Sequence, residues 1–255
     1  MDKAHQRNVR DEWRQFCRQK LTGQKSETPD PFQSEDLAAI LSKLKTGTAA
    51  GYDNILPEFL KHMGPRATEW LTSFFTRIVH EKRTPKVWRQ AKIIAIPKPG
   101  KDHSIAANYR PISLLSVHYK CLERLLLQCA NPIQEDYITV EQAGFRKGRS
   151  TCDQVLALTT FIENGFQQNL KTGTVFLDLS AAYDSVWHTG LFLKLSKVFP
   201  RWLVEIIILF LSNRRFRVHM GNKCSFWRHQ KNGLPQGSVL SPSLFNVYIN
   251  DIPYL

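Results

Sequence analysis

Acidic residues are scarce in this chain, and several familiar features are missing. Its 255 residues hold 22 Asp+Glu against 35 Lys+Arg, a formal net charge of +13. A field of that sign favours a polyanion, most simply nucleic acid. A basic membrane-surface protein has the same balance, and charge alone does not separate the two. No C-x-x-C pair occurs. The five cysteines (Cys17, Cys121, Cys129, Cys152, Cys224) are odd in number and scattered. A disulfide framework and a zinc site are set aside on that ground, and a reducing interior is the default. No apolar signal segment follows Met1, so an intracellular, non-secreted protein is expected, with nucleus and cytoplasm undistinguished. The longest apolar run, Leu203 to Leu211, contains Glu205 and is too short to span a bilayer. It reads as a core helix. Internal repeats and low-complexity tracts are also lacking.

What is present is an ordinary globular composition, 42% hydrophobic and 22% charged, which argues against disorder. The basic excess is uneven. Lys61 to Arg110 carries eleven Lys/Arg against Glu69, Glu81 and Asp102. Leu211 to Gly233 carries six basic residues and no acid. A basic run is ordinarily a solvated face; two runs that flank the motifs below suggest a nucleic-acid track.

Periodicity predicts helices over Asp11–Leu21, from Ser34 as N-cap through Leu37, Ile40, Leu41 and Leu44, over Pro57–Lys61, and over Ala67–Lys82. Ser26–Gln33, with Pro29 and Pro31, reads as a linker, and Thr46–Asn54 as a glycine-bearing loop. Ala91–Pro97 and Tyr109–Leu115 read as strands, Val117–Cys129 as a helix, and Thr174–Asp178 as a short buried strand. Helices follow over Ala181–Phe199 and Trp202–Leu211. A hairpin turning at Gly221-Asn222 joins Arg215–Met220 to Lys223–Gln230. Gly233–Gly237 is a tight loop before a last helix from about Val239 to Asp251. Strands and helices mix without regular alternation, so the expected class is α+β.

Two segments carry chemistry. In Val175-Phe-Leu-Asp178-Leu-Ser-Ala-Ala-Tyr183-Asp184 an apolar strand ends in a carboxylate. A buried ionised Asp needs a cation or a hydrogen-bonded partner. A hard ion such as Mg2+ fits; an N-cap for the next helix fits equally, and the segment does not choose. Asp184, six residues on, points elsewhere on a helix and is assigned a structural role. The second segment, Gly233-Leu-Pro-Gln236-Gly237-Ser-Val-Leu-Ser-Pro242, combines a fixed φ, a position for close approach and an amide that both donates and accepts. That suits the floor of a base or sugar site, and an ordinary turn has the same residues.

Together, F-x-D-x-x-x-A-Y-D followed by L-P-Q-G-S-x-L-S-P resembles motifs A and B of reverse transcriptases of the non-LTR, LINE-like type. Leu44 to Glu58, Trp88 to Lys101, Asn108 to Ser116 and Gln142 to Ser150 also resemble that family, so the likeness runs from about Phe32 to the C-terminus. It implies a right-hand polymerase fold with fingers and an antiparallel palm sheet backed by helices. Residues 1–33 would be an N-terminal helix and linker, 34–173 the fingers and start of the palm, and 174–255 an incomplete palm. It implies Asp178 and the Leu179 carbonyl as ligands of catalytic Mg2+ (or Mn2+). Tyr183 would gate against a 2′-hydroxyl, Gln236 and Gly237 would line the nucleotide, and Arg110 with Lys98 would reach its triphosphate. The basic residues Arg146, Lys147, Arg149, Arg214, Arg215 and Arg217 would contact nucleic acid. RNA template, DNA primer and dNTPs are the implied partners, with no membrane.

One departure stands out. The family's aromatic-Ala-Asp-Asp turn does not occur in these residues, Tyr248-Ile-Asn-Asp251 is expected inside a helix, and the thumb is absent. The expectation is an RNA-directed DNA polymerase domain that is inactive as it stands. The alternative is a non-catalytic nucleic-acid-binding protein derived from a retroelement.

Overall fold

A computed structural model describes residues 2–19 and 32–252. Most of the expected 26–33 linker, and Leu21 of the first helix, lie outside them. The described elements are α1 (Lys3–Gln19), α2 (Ser34–Ser42), α3 (Pro57–Lys61), α4 (Pro65–Glu81), β1 (Gln90–Pro97), β2 (Tyr109–Leu114), α5 (Val117–Tyr137), α6 (Thr151–Gln167), α7 (His188–Val198), α8 (Arg201–Leu211), β3 (Arg214–Met220), β4 (Lys223–Cys224), β5 (Arg228–Gln230) and α9 (Ser241–Ile249). The α+β expectation holds.

The core grows from apolar stripes at helical spacing. Leu37, Ile40 and Leu41 of α2 meet Leu71, Phe75, Ile78 and Val79 of α4 and the long apolar face of α5. Each fully buried large side chain contributes about 1.5–3 kcal/mol. Trp70, although apolar and on the same helix, is 66% exposed. Ser34 is not the N-cap: Gln33 occupies that place with extended backbone and no side-chain cap, and Glu35 and Asp36 supply negative charge to the first turn instead. Helix α5 runs eight residues past the expected end at Cys129 and carries Pro132 inside it. Proline deletes one backbone donor, and here the helix continues to Tyr137.

The sheet has the order β2-β1-β3-β4, with β5 also on β3. β1 and β2 are antiparallel, with Ile94 opposite Ile112. β1 and β3 are parallel, with Lys92 opposite Arg217. β4 and β5 return antiparallel along β3 after the Gly221-Asn222 turn. The described sheet is therefore mixed, antiparallel at β1–β2, β3–β4 and β3–β5 and parallel at β1–β3.

Two further expectations fail nearby. Thr174–Asp178 is not a buried strand: Val175, Phe176 and Leu177 are each 83% exposed and pair with none of the described strands. An extended segment without a ladder partner leaves its polar backbone to water. The helix expected from Ala181 begins only at His188. Ala181 sits at φ +51°, a left-handed turn that interrupts helical geometry. The carbonyls of Tyr183 and Val186 are taken by Leu234 and Gly233. Conversely, α6 was not read from the sequence at all, although Ser150 and Asp153 form a reciprocal capping box at its start.

Candidate nucleotide site

The 233–238 loop is built to hold still. Gly233 adopts φ +82°, and a Cβ there would stand 3.0 Å from the Asp184 backbone. Its N–H donates to Val186 O at 2.8 Å, and the Leu234 N–H donates to Tyr183 O at 2.8 Å. Pro235 O accepts from the Ser238 N–H at 3.1 Å and from the Ser241 hydroxyl at 2.9 Å. Gln236 O accepts the Ser113 N–H at 2.8 Å, so the loop caps the outer edge of β2. Gly237 lies at φ +119°, where a Cβ would stand 2.6 Å from Ser113 O. Only glycine fits there. Gln236 is half-buried and Gly237 exposed.

The two chemistry-bearing segments therefore meet. Tyr183, whose carbonyl anchors Leu234, sets its ring 5.2 Å from Phe245 and 6.4 Å from Phe145. Burial pushes its hydroxyl pKa up. Asp178 and Leu179, a few residues upstream, are exposed on a cleft of about 690 Å3 walled by Trp187, Phe245, Tyr248 and residues of α1. Asp251 lines the same cleft, and Lys194 donates to it at 2.6 Å. Burial raises the Asp184 carboxyl pKa, and Asp184 backs Gly233 through its main chain.

Arg110 is exposed on β2, opposite Ile96. It stands three residues from Ser113, roughly 10 Å along the strand. Lys98 lies just past the end of β1; its Nζ donates to Ala107 O at 2.9 Å and closes the hairpin end.

The basic residues divide. Lys147, Arg149 and Arg215 are exposed. Arg217 is half-buried, with its guanidinium 4.8 Å from the Trp227 ring. Arg146 does not fit the expected role: its side chain is 7% exposed and donates to Glu135, Thr139 O and Gln142 O. Arg214 does not fit either. It is 1% exposed, donates to Phe210 O at 3.1 Å and lies 5.7 Å from the Tyr119 ring. The alternation of β3 turns it into the core, where no external phosphate reaches it.

Sequence reading missed Glu123. It is buried on α5 and accepts from the Ser238 hydroxyl and, at 2.9 Å, from the Val239 N–H. A carboxylate between Leu122 and Leu126 on an apolar helix face was the available signal.

Fold and site define an α+β domain in which a rigid Pro-Gln-Gly loop sits beside a basic hairpin. The family model for reverse transcriptase (RNA-dependent DNA polymerase) matches residues 96–254, and the chain belongs to that family. It is 37% identical over 225 residues to a probable RNA-directed DNA polymerase from transposon BS of Drosophila melanogaster, covering 88% of this chain and 25% of the relative. Two further relatives from the same fly are a probable RNA-directed DNA polymerase from transposon X-element, 34% identical over 88% of this chain and 25% of its own length, and the RNA-directed DNA polymerase from mobile element jockey, 32% identical over 86% and 24%. The chain thus spans about a quarter of the curated relatives it matches. The non-LTR reading made from the motifs stands.

Proposed function

We propose that this chain is the fingers-and-palm portion of an RNA-directed DNA polymerase, and that it holds an RNA template paired to a DNA primer together with an incoming dNTP. The observation that carries this reading is the docking of the 233–238 loop on both the Tyr183–Val186 segment and the strand that bears Arg110. Residues 34–173 then serve as fingers and the start of the palm, and 174–252 as palm. Gln236 and Gly237 form the floor for base and sugar. Arg110 offers a planar fork to the triphosphate, with Lys98 beside it as a point charge. The Tyr183 ring, backed by Phe245, crowds the sugar and disfavours a 2′-hydroxyl. Arg215, Arg217, Lys147 and Arg149 meet the nucleic-acid backbone.

Phosphoryl transfer by this class relies on divalent metal, Mg2+ or Mn2+, to neutralise charge at the reacting phosphate. On this reading Asp178 and the Leu179 carbonyl would hold it. Among the described residues no group of three or more His, Cys, Asp or Glu is assembled to hold a metal, and Asp251 is engaged by Lys194. These residues do not complete a metal centre, and no chemical step follows from them alone. On this reading the described residues bind and order substrates, and the full metal centre is not assembled from them.

The test is anisotropy of a labelled RNA–DNA hybrid over a range of salt, followed by dTTP titration. Affinity that falls steeply with salt, and dTTP binding that depends on template adenine, support the reading. Hybrid binding with no nucleotide binding would leave only the retroelement-derived nucleic-acid-binding reading. Absence of both would refute the proposal.

A further inference from the structure

The nucleotide floor is clamped from behind by a buried carboxylate. Glu123 is 1% exposed, and a carboxylate so placed is costly unless donors meet it. Two do, from consecutive residues of one loop: the Ser238 hydroxyl on Oε1 and the Val239 N–H on Oε2. Burial pushes the Glu123 carboxyl pKa up, while Ser238, Val239, the Arg214 charge and the Tyr119 hydroxyl pull it back. Arg214 is itself 1% exposed, and its Nε and one terminal nitrogen have no hydrogen-bond partner. It serves Glu123 as a nearby counter-charge, not as a hydrogen-bond donor.

The placement matters more than the burial. Gln236 is tied in front to Ser113, and the chain two and three residues later is tied to Glu123. Gly237, whose backbone freedom is widest, lies between the two ties. An apolar residue would fill the volume under the loop, but it would not fix the rotation of the peptides that follow Gly237. We infer that Glu123 is a positioning residue, which holds Gln236 and Gly237 at the orientation a bound dNTP requires. This rests on the reading of those two residues as the nucleotide floor.

The experiment uses the full chain with poly(rA)–oligo(dT) and dTTP in Mg2+. Glu123→Gln keeps the shape, but its amide offers one acceptor where the carboxylate offers two. Its dTTP Kd is expected to weaken about tenfold, with hybrid affinity unchanged and cooperative melting retained. Gln236→Ala should also weaken dTTP binding, and the double variant should be little worse than Gln236→Ala alone, because both act through one group. Ser238→Ala cuts the same tie from the loop side and is expected to cost about threefold; it decides the matter if Glu123→Gln does not fold. A folded Glu123→Gln or Ser238→Ala that binds dTTP like the parent, beside a weakened Gln236→Ala, overturns the inference and leaves the floor intact. A parent chain that binds hybrid but no dTTP overturns the floor, and the inference with it.

Discussion

Replacing Gly237 with alanine strikes the point where the loop touches β2. At φ +119° an L-residue is strained, at about 1–3 kcal/mol. The new Cβ would also stand 2.6 Å from Ser113 O, well inside van der Waals contact, and the atom it meets is backbone in a sheet. Relief requires the loop to lift. That releases the Ser113 N–H from Gln236 O, and Ser113 is buried. An unpaired buried donor costs about 1–3 kcal/mol. The expected loss is about 3 kcal/mol together, which in a chain of this size lowers Tm by roughly 6–12 °C. Gly47→Ala is the control. It shares a positive φ, +70°, but has nothing within 4 Å of the added atom, so it bears only the conformational cost. Circular dichroism melts of the two variants and the parent, with dTTP affinity measured in parallel, give the comparison. If Gly237→Ala melts with Gly47→Ala, the close approach to Ser113 is not a structural constraint and the reasoning is wrong.

Other perturbations separate contact from support. Arg215→Ala should reduce the slope of log affinity for RNA–DNA hybrid against log salt by about one, whereas Arg214→Met should leave that slope unchanged while destabilising the chain by about 3 kcal/mol in urea, since it strands Glu123. Equal slopes for both variants would place Arg215 off the nucleic-acid track. Tyr183→Val should narrow the preference for dTTP over UTP in competition binding, with little change for dTTP itself; an unchanged ratio would remove Tyr183 as the sugar gate. Burial acts to raise the Asp53 carboxyl, but the His118 ring 3.9 Å away and hydrogen bonds from the Ser116 hydroxyl and the Ile55 amide outweigh it and hold the pKa below its ordinary 3.8. Its folded value is depressed, so the stability it contributes is complete above about 3.8 and is lost as pH falls through the lower folded value. Urea midpoints from pH 6 to pH 2 should therefore fall more steeply for the parent than for Asp53→Asn, and parallel curves would contradict the assignment.

Much of this was legible in residue patterns, for physical reasons that also explain the failures. The stripe of α2, the β1–β2 hairpin and the Gly221-Asn222 turn depend on local periodicity and turn chemistry, and they appear as read. The Pro-Gln-Gly loop is rigid because its own residues make it so. The failures concern partners distant in sequence. Val175 to Leu177 has the composition of a buried strand, but burial depends on a neighbour that none of the described strands supplies. Arg214 and Arg215 look alike in a basic run; the pleat decides that one meets the core and the other water. Glu123 was invisible as a loop clamp because Ser238 lies 115 residues away.

Primer extension on an RNA template with dNTPs and Mg2+, with Asp178→Ala run beside the parent, decides whether Asp178 takes part in a working metal centre. Both chains are expected to retain the template–primer, and neither is expected to add a nucleotide. Incorporation by the parent that disappears in Asp178→Ala would contradict this, because it would mean that residues of this chain complete the metal centre with Asp178.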